Sequence, residues 1–264
     1  MQTVQQALTR HRDKVARWAT SVALFSLAGT AVIATWHSPL HPLIRPAAEA
    51  ISAPVSASGA TVSLATAATA AAVPAWDLAN ISNPRVDGWV QRFTTSLKGE
   101  ISNTLTRGEA YLPMISAKLA ERGMPRELAY LPMIESEFRP KARSPVSAVG
   151  LWQFMSSTAR RFGLSVGRND DERTNPAKAT DAALTYLSQL HDRFGSWYLA
   201  AAAYNAGPGT IAQAMKRVLG RSTGTDADFY AIAPRLPAET REYVPKLIAA
   251  ARIGKEPGRY GLQD

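Results

Sequence analysis

Residues 175–195, NPAKATDAALTYLSQLHDRFG, put Ala179, Ala182, Ala183, Tyr186, Leu187, Leu190 and Phe194 on one apolar stripe at helical spacing. Asn175 offers an N-cap, Pro176 fits the first turn and Gly195 supplies the stop. Two short helices follow in SWYLAAAAYNAG and GPGTIAQAMKRVLG, ended by Gly207 and Gly220. AETREYVPKLIAAARIG reads as another, bent at Pro245. Upstream, helices are expected over 86–97 and 109–121, and Pro125 opens one that carries Glu127 in its first turn. No series of alternating strands competes; at most a short hairpin lies around GLSVGRNDDER. The expected fold class is all-α (mainly α), with six or more helices.

The first 82 residues have a different texture. A basic stretch with Arg10, Arg12, Lys14 and Arg17 precedes an uncharged run from Trp18 to Trp36. At 1.5 Å per residue that run is about 28 Å long, close to the ~30 Å hydrocarbon layer of a bilayer. Residues 1–37 therefore read as a cytoplasmic tail and N-terminal transmembrane anchor. The alternative is a cleaved signal peptide, with Val32-Ile33-Ala34 or Ala48-Glu49-Ala50 as the cleavage site. Residues 38–82 are rich in Ala, Ser, Thr and Pro, too poor in large apolar groups to offset their ordering entropy, and read as a flexible linker. Residues 83–264 are left as one helical domain, exported under either reading.

Charge and chemistry narrow the classes. With no cysteine, disulfides, thiolate zinc sites and iron–sulfur clusters are excluded. A net charge of +9 favours an acidic partner. No nucleic-acid-binding fingerprint is present, and an acidic membrane surface or an acidic cell-wall polymer fits the charge equally well. Three of four histidines, His11, His37 and His41, precede the domain, and His191 is alone on a helix, which leaves no triad and no zinc site. Asp170, Asp171 and Glu172 lack EF-hand spacing and suit capping and local ion pairing better than calcium. No cofactor or metal is expected.

The stretch LPMIESEFRP carries two glutamates in an apolar run, where charge is found when it is paired or used. On a continuous helix Glu135 and Glu137 would lie about 200° apart and could not flank one bond together. The helical wheel does not rank them. Either could instead be a half-buried glutamate paired with Arg139, Lys141 or Arg143.

Four separated segments, ELAYLPMIESEFRPKARSPVSAVGLWQFMSSTARRFGL, DERTNP, AAAYNAGPG and LPAETREYVPKLIAA, resemble in content and order the lytic murein transglycosylases. The resemblance is to the membrane-bound D type, within the soluble-lytic-transglycosylase and goose-lysozyme-like superfamily, and runs from about residue 83 to 253. It implies a lysozyme-like helical domain with a substrate cleft. The glutamate of the family's Glu-Ser pair is its sole catalytic acid/base, which falls on Glu135, and the resemblance puts Ser136 beside it among the expected substrate-binding residues. Ser144 resembles the family serine that contacts the substrate's N-acetyl group, and Gln153 the cleft glutamine that hydrogen-bonds substrate. Tyr204 and Asn205 would line the cleft floor, and Tyr243 resembles the tyrosine beside the catalytic carboxyl. Gln153 and Asn205 also suit capping roles, Tyr204 and Tyr243 suit core packing, and Trp152 suits wall packing.

The resemblance implies cleavage of the MurNAc-β-1,4-GlcNAc bond of peptidoglycan glycan strands without water, giving 1,6-anhydro ends. A goose-lysozyme-like hydrolase and a non-catalytic glycan-binding scaffold are the rivals. The resemblance also implies a bacterial cell-envelope location, with the N-terminal helix in the inner membrane and the domain in the periplasm, or the whole secreted there after signal cleavage; a tethered domain without repeats suggests an envelope or secretion machine as a candidate protein partner.

Overall fold

A computed structural model describes residues 76–262, and the expected anchor and most of the expected linker lie outside them. Among the described residues no helix is long and apolar enough to cross a membrane. The described chain is helical, and its only β pairing there is isolated bridges, one of them Val166 with Asp171 in the expected hairpin.

Local chemistry sets most boundaries. Helix α1 (Pro84–Thr94) starts at Asn83, whose Oδ1 accepts from the Arg85 amide. The helix expected over 86–97 stops early and a second, α2 (Lys98–Gly108), follows. Three hydroxyls explain the break: Thr94, Thr95 and Ser96 turn back onto the carbonyls of Val90, Gln91 and Arg92. α3 (Leu112–Glu121) begins three residues later than expected, at the position where Pro113 fits the first turn. A 3₁₀ segment, Arg126–Tyr130, then leads into the short α4 (Leu131–Ser136).

Downstream, α5 (Ser156–Arg161) precedes α6 (Pro176–Phe194), which has the expected Asn175 cap and a left-handed Gly195 at φ 72°. α7 (Trp197–Ala206) and α8 (Pro208–Leu219) follow as expected. α9 (Asp226–Ile232), not foreseen, is fixed by a capping box between Thr225 and Asp228. α10 (Ala238–Lys255) keeps Pro245 inside it.

α10 is the central strut. It packs on α1, α7, α4 and the 3₁₀ segment, so residues far apart in sequence meet along it. α7 is buried almost throughout, from Tyr198 to Ala203. A run of four alanines there lets neighbouring helices approach closely. Gly254 serves the same end: a Cβ there would sit 2.0 Å from the Tyr130 ring.

The packed chain begins upstream of Asn83. Leu78 is in the core, and its amide donates to Glu127 at 3.0 Å. Glu127, expected to serve a helix dipole, is instead fully buried and shared between the Leu78 and Asp77 amides and the Lys255 ammonium. It ties the entering chain to the end of α10. Lys255→Met strands this carboxylate and is expected to cost about 3–5 kcal/mol. Asp181→Asn, on an exposed pair with Lys118 and Arg122, should cost under ~1 kcal/mol. Urea denaturation of both variants checks the contrast.

Candidate active site

Helix α4 is only six residues long. Its apolar side chains, Leu131, Met133 and Ile134, are buried, and Glu135 is carried with them into a half-buried position. The Tyr243 hydroxyl donates to Glu135 Oε1 at 2.5 Å. Burial pushes the Glu135 carboxyl up to about 7; the Tyr243 hydrogen bond pulls it down, Glu239 pushes it further up, and Lys246 opposes. The group therefore exchanges a proton near neutrality. Burial also holds the Tyr243 phenol well above its usual range, so it stays a donor.

Glu137 goes elsewhere, for a reason the helical wheel does not contain. The helix ends at Ser136, and Glu137 and Phe138 are both left-handed, with φ of 53° and 55°. The Glu137 carboxylate accepts from Arg107 at 2.8 Å and pairs with Arg139 at 2.7 Å. Burial first and Glu100 second push its carboxyl up to about 6, against the two guanidiniums. It buttresses the end of α4 against α2.

Between 137 and 154 the chain forms a tight loop that carries several expected site residues. All four non-glycine residues with positive φ among the described ones lie here: Glu137, Phe138, Ser147 and Gln153. Such backbone is held only where its surroundings over-determine it. Arg173 does much of that. It is buried, braced by Asp171 at 2.8 Å, and donates to the carbonyls of Ser147 and Phe154 at 3.0 Å. Gly150 (φ 90°) presses so close that a Cβ would lie 1.8 Å from the Arg173 carbonyl oxygen. Asp171 and Glu172 thus serve structure, Glu172 through Lys178 and the Ser165 amide.

The expected site residues fall into two groups. Tyr243 meets Glu135 directly. Tyr204 feels the Glu135 charge, and its hydroxyl donates to the Trp152 carbonyl at 2.8 Å. Asn205 accepts from Thr240 at 2.8 Å and donates to Glu239 at 3.2 Å. Gln153 fastens its amide nitrogen to the Gly150 carbonyl at 2.8 Å. Ser144 Oγ accepts the Ala148 amide at 3.0 Å, a local turn bond that shapes the loop. Ser136 stands apart: it is 3% exposed and its hydroxyl donates to Leu151 at 2.9 Å, pinning α4 to the loop. Trp152 is fully buried with its indole nitrogen on Thr180, so it packs the wall. His191 stacks on Trp197 at 4.0 Å.

Two site residues were missed from sequence. Glu239 and Lys246 share a face of α10 with Tyr243, at spacings of four and three residues. Burial raises the Glu239 carboxyl, with Asn205 and Lys246 opposing. Burial lowers the Lys246 ammonium, with Glu135 and Glu239 the foremost charges opposing, and the side chain lies 5.3 Å over the Trp89 ring. The spacing is legible in ETREYVPK, but nothing local says what that face meets.

A half-buried carboxyl pushed up to about 7 and bonded by a tyrosine is suited to general acid/base work. Residues 113–225 match the family model "Transglycosylase SLT domain". It is 37% identical over 182 residues to "Membrane-bound lytic murein transglycosylase D" of Escherichia coli (strain K12), covering 69% of this chain and 39% of that protein. It is 36% identical over 121 residues to "Soluble lytic murein transglycosylase" of Salmonella typhimurium (strain LT2), over 44% of this chain and 18% of that one. The chain thus spans about two-fifths or less of these relatives' lengths. In fold it is similar to the solved complex of the 70-kDa soluble lytic transglycosylase with bulgecin A. The TM-score is 0.50 at 23% identity, over 67% of this chain and 29% of that chain.

The site has a measurable cost to the fold. Folded Glu135 titrates at about 7, against 4.5 for the unperturbed side chain. Over that interval the folded state holds a proton that the unfolded state releases. Its contribution to stability is full below 4.5 and is lost as pH rises through 7. Glu135→Gln cannot ionise, so at pH 8 it should exceed the parent in stability by about 1–3 kcal/mol and at pH 4 nearly match it. Urea unfolding at the two pH values checks this; a difference independent of pH contradicts it.

Proposed function

We propose that the domain is a peptidoglycan lytic transglycosylase with Glu135 as its single general acid/base. The observation that carries the reading is the half-buried Glu135 carboxyl bonded by the Tyr243 hydroxyl, an environment whose burial pushes the group up to about 7. The similarity to murein transglycosylases supports the substrate class.

The protonated Glu135 gives its proton to the glycosidic oxygen as the MurNAc C1–O bond breaks, and the GlcNAc 4-hydroxyl leaves. The substrate's own 2-acetamido oxygen stabilises the electron-poor C1. The Glu135 carboxylate, now accepting from Tyr243, takes the proton of the muramyl C6 hydroxyl. O6 bonds to C1, a 1,6-anhydro ring closes and the acid is restored. The nucleophile is tethered to the reacting sugar, so no water has to be positioned. In this reading Tyr204, Asn205, Gln153 and Ser144 hold the sugars and their acetamido groups, while Ser136 and Glu137 keep α4 in place.

Hydrolysis is the second reading, and one observation favours it. Glu239 is a further carboxylate whose charge acts on Glu135, and many glycosidases use two. Its hydrogen bond to Asn205 assigns it here to orienting that amide. The domain would act from a membrane tether formed by residues 1–37 and the linker beyond, which places it in the cell envelope.

Mass spectrometry of muropeptides released from sacculi tests the assignment. Anhydro products, lighter by one water than reducing-end products, are expected, and Glu135→Gln should lower their release by roughly 10²–10⁴-fold. Reducing ends alone would select hydrolysis; undiminished clearing by Glu135→Gln would reject the acid/base assignment.

A further inference from the structure

Lys246 lies one turn beyond Tyr243 on the face of α10 that meets Glu135. The carboxyls whose charge reaches it come from several elements: Glu135 on α4 and Glu239 on α10 foremost, then Glu100 on α2 and Glu137 just past α4. None of the four holds it. Lys246 is half-buried, and among the described residues its ammonium makes no hydrogen bond and no ion pair. A cation withdrawn from water without a partner costs the fold free energy.

What holds Lys246 is a ring from another helix. Its ammonium lies 5.3 Å from the centroid of Trp89, on α1, which packs along α10. Trp89 is itself fixed. Its indole nitrogen donates to Glu242 at 2.9 Å, and Glu242 is paired with Arg85 in the first turn of α1. Its ring packs 5.5 Å from that of the buried Phe93, and the Arg92 guanidinium lies 5.0 Å from the same indole. An aromatic face attracts an ammonium but carries no full negative charge. A carboxylate in its place would neutralise Lys246; the indole leaves the charge available to the carboxyls beyond.

We infer that Lys246 is a positioning residue of the candidate acid: held by the Trp89 ring, its charge favours the carboxylate state of Glu135 and lets the acid part with its proton near neutrality. This rests on the reading of Glu135 as the general acid/base. The groups around Glu135 divide by what they favour. Glu239 opposes ionisation, the Tyr243 hydroxyl supports it by a hydrogen bond, and Tyr204 on α7 is a phenol that burial keeps neutral. Glu137 is already held by Arg107 and Arg139. Without Lys246, burial and Glu239 would act against the Tyr243 hydrogen bond alone, and Glu135 would keep its proton to higher pH. α1, which supplies no acid or base of its own to the site, enters it through this ring.

The test follows the pH midpoint of the Glu135 carboxyl by ¹³C NMR in the full chain. Lys246→Met keeps most of the apolar stem and removes the charge. Its fold is expected to survive, because the ammonium has no ion-pair partner to strand. The Glu135 midpoint in this variant is expected to rise by roughly half to one pH unit. Lys246→Arg keeps the charge and the cation–π contact and is expected to leave the midpoint near that of the parent. Trp89→Leu should raise the midpoint as well, and should add no further rise once Lys246→Met is in place. In muropeptide release, the alkaline limb of the pH profile should move with the midpoint in each variant. An unmoved midpoint in Lys246→Met, or a rise as large in Lys246→Arg, overturns the role of the charge. A Trp89→Leu rise that is the same with and without Lys246 overturns the role of the ring. Failure of the transglycosylase reading shows separately, as absence of anhydro products from the unsubstituted chain.

Discussion

The hydrogen bond from Tyr243 to Glu135 joins two helices whose contacting residues are 108 positions apart. It works only because the carboxyl is withdrawn from water. Full exposure would return Glu135 to an ordinary carboxylate, and full enclosure without a donor would lock it as an acid. The tyrosine offsets part of the desolvation and leaves the group poised near neutrality. α10 is what makes the meeting possible, since one helix presents Glu239, Tyr243 and Lys246 together and anchors its far end on Glu127.

The second requirement is rigidity around α4. Six residues make less than two turns, and so short a helix has little stability of its own. Its end is held from outside, by the left-handed Glu137 and Phe138, the two guanidiniums on Glu137, and the Ser136 hydroxyl on Leu151. The loop to residue 154 is held in turn by the buried Arg173. Charge near the site is therefore of two kinds. Arg107, Arg139, Arg173 and Asp171 set the backbone, whereas Glu135, Glu239 and Lys246 face one another where protons would move.

How much was legible in the sequence follows from the range of each interaction. The helix over 176–194 was readable because its cap, first-turn proline and terminal glycine act within the element itself. The same holds for the glycines after α7 and α8. The break between α1 and α2 was missed because it comes from three hydroxyls folding back on carbonyls, a contest that apolar spacing does not record. The choice between Glu135 and Glu137 defeated the wheel because Glu137 is outside the helix the wheel assumed. The structure gives the two carboxyls different surroundings, the Arg107 and Arg139 guanidiniums for Glu137 and the Tyr243 hydroxyl for Glu135. Glu239 and Lys246 stayed hidden because their significance depends on a helix more than 100 positions upstream.

The most direct test of this account is the titration of Glu135 itself. In the chain labelled with ¹³C at glutamate side-chain carboxyls, the Glu135 signal is assigned as the one lost in Glu135→Gln, and its shift is followed with pH. The account predicts a midpoint at about 7, moving higher still in Tyr243→Phe, where the hydrogen bond that favours the carboxylate is gone. A midpoint near 4.5, the value for an unperturbed glutamate, would contradict it.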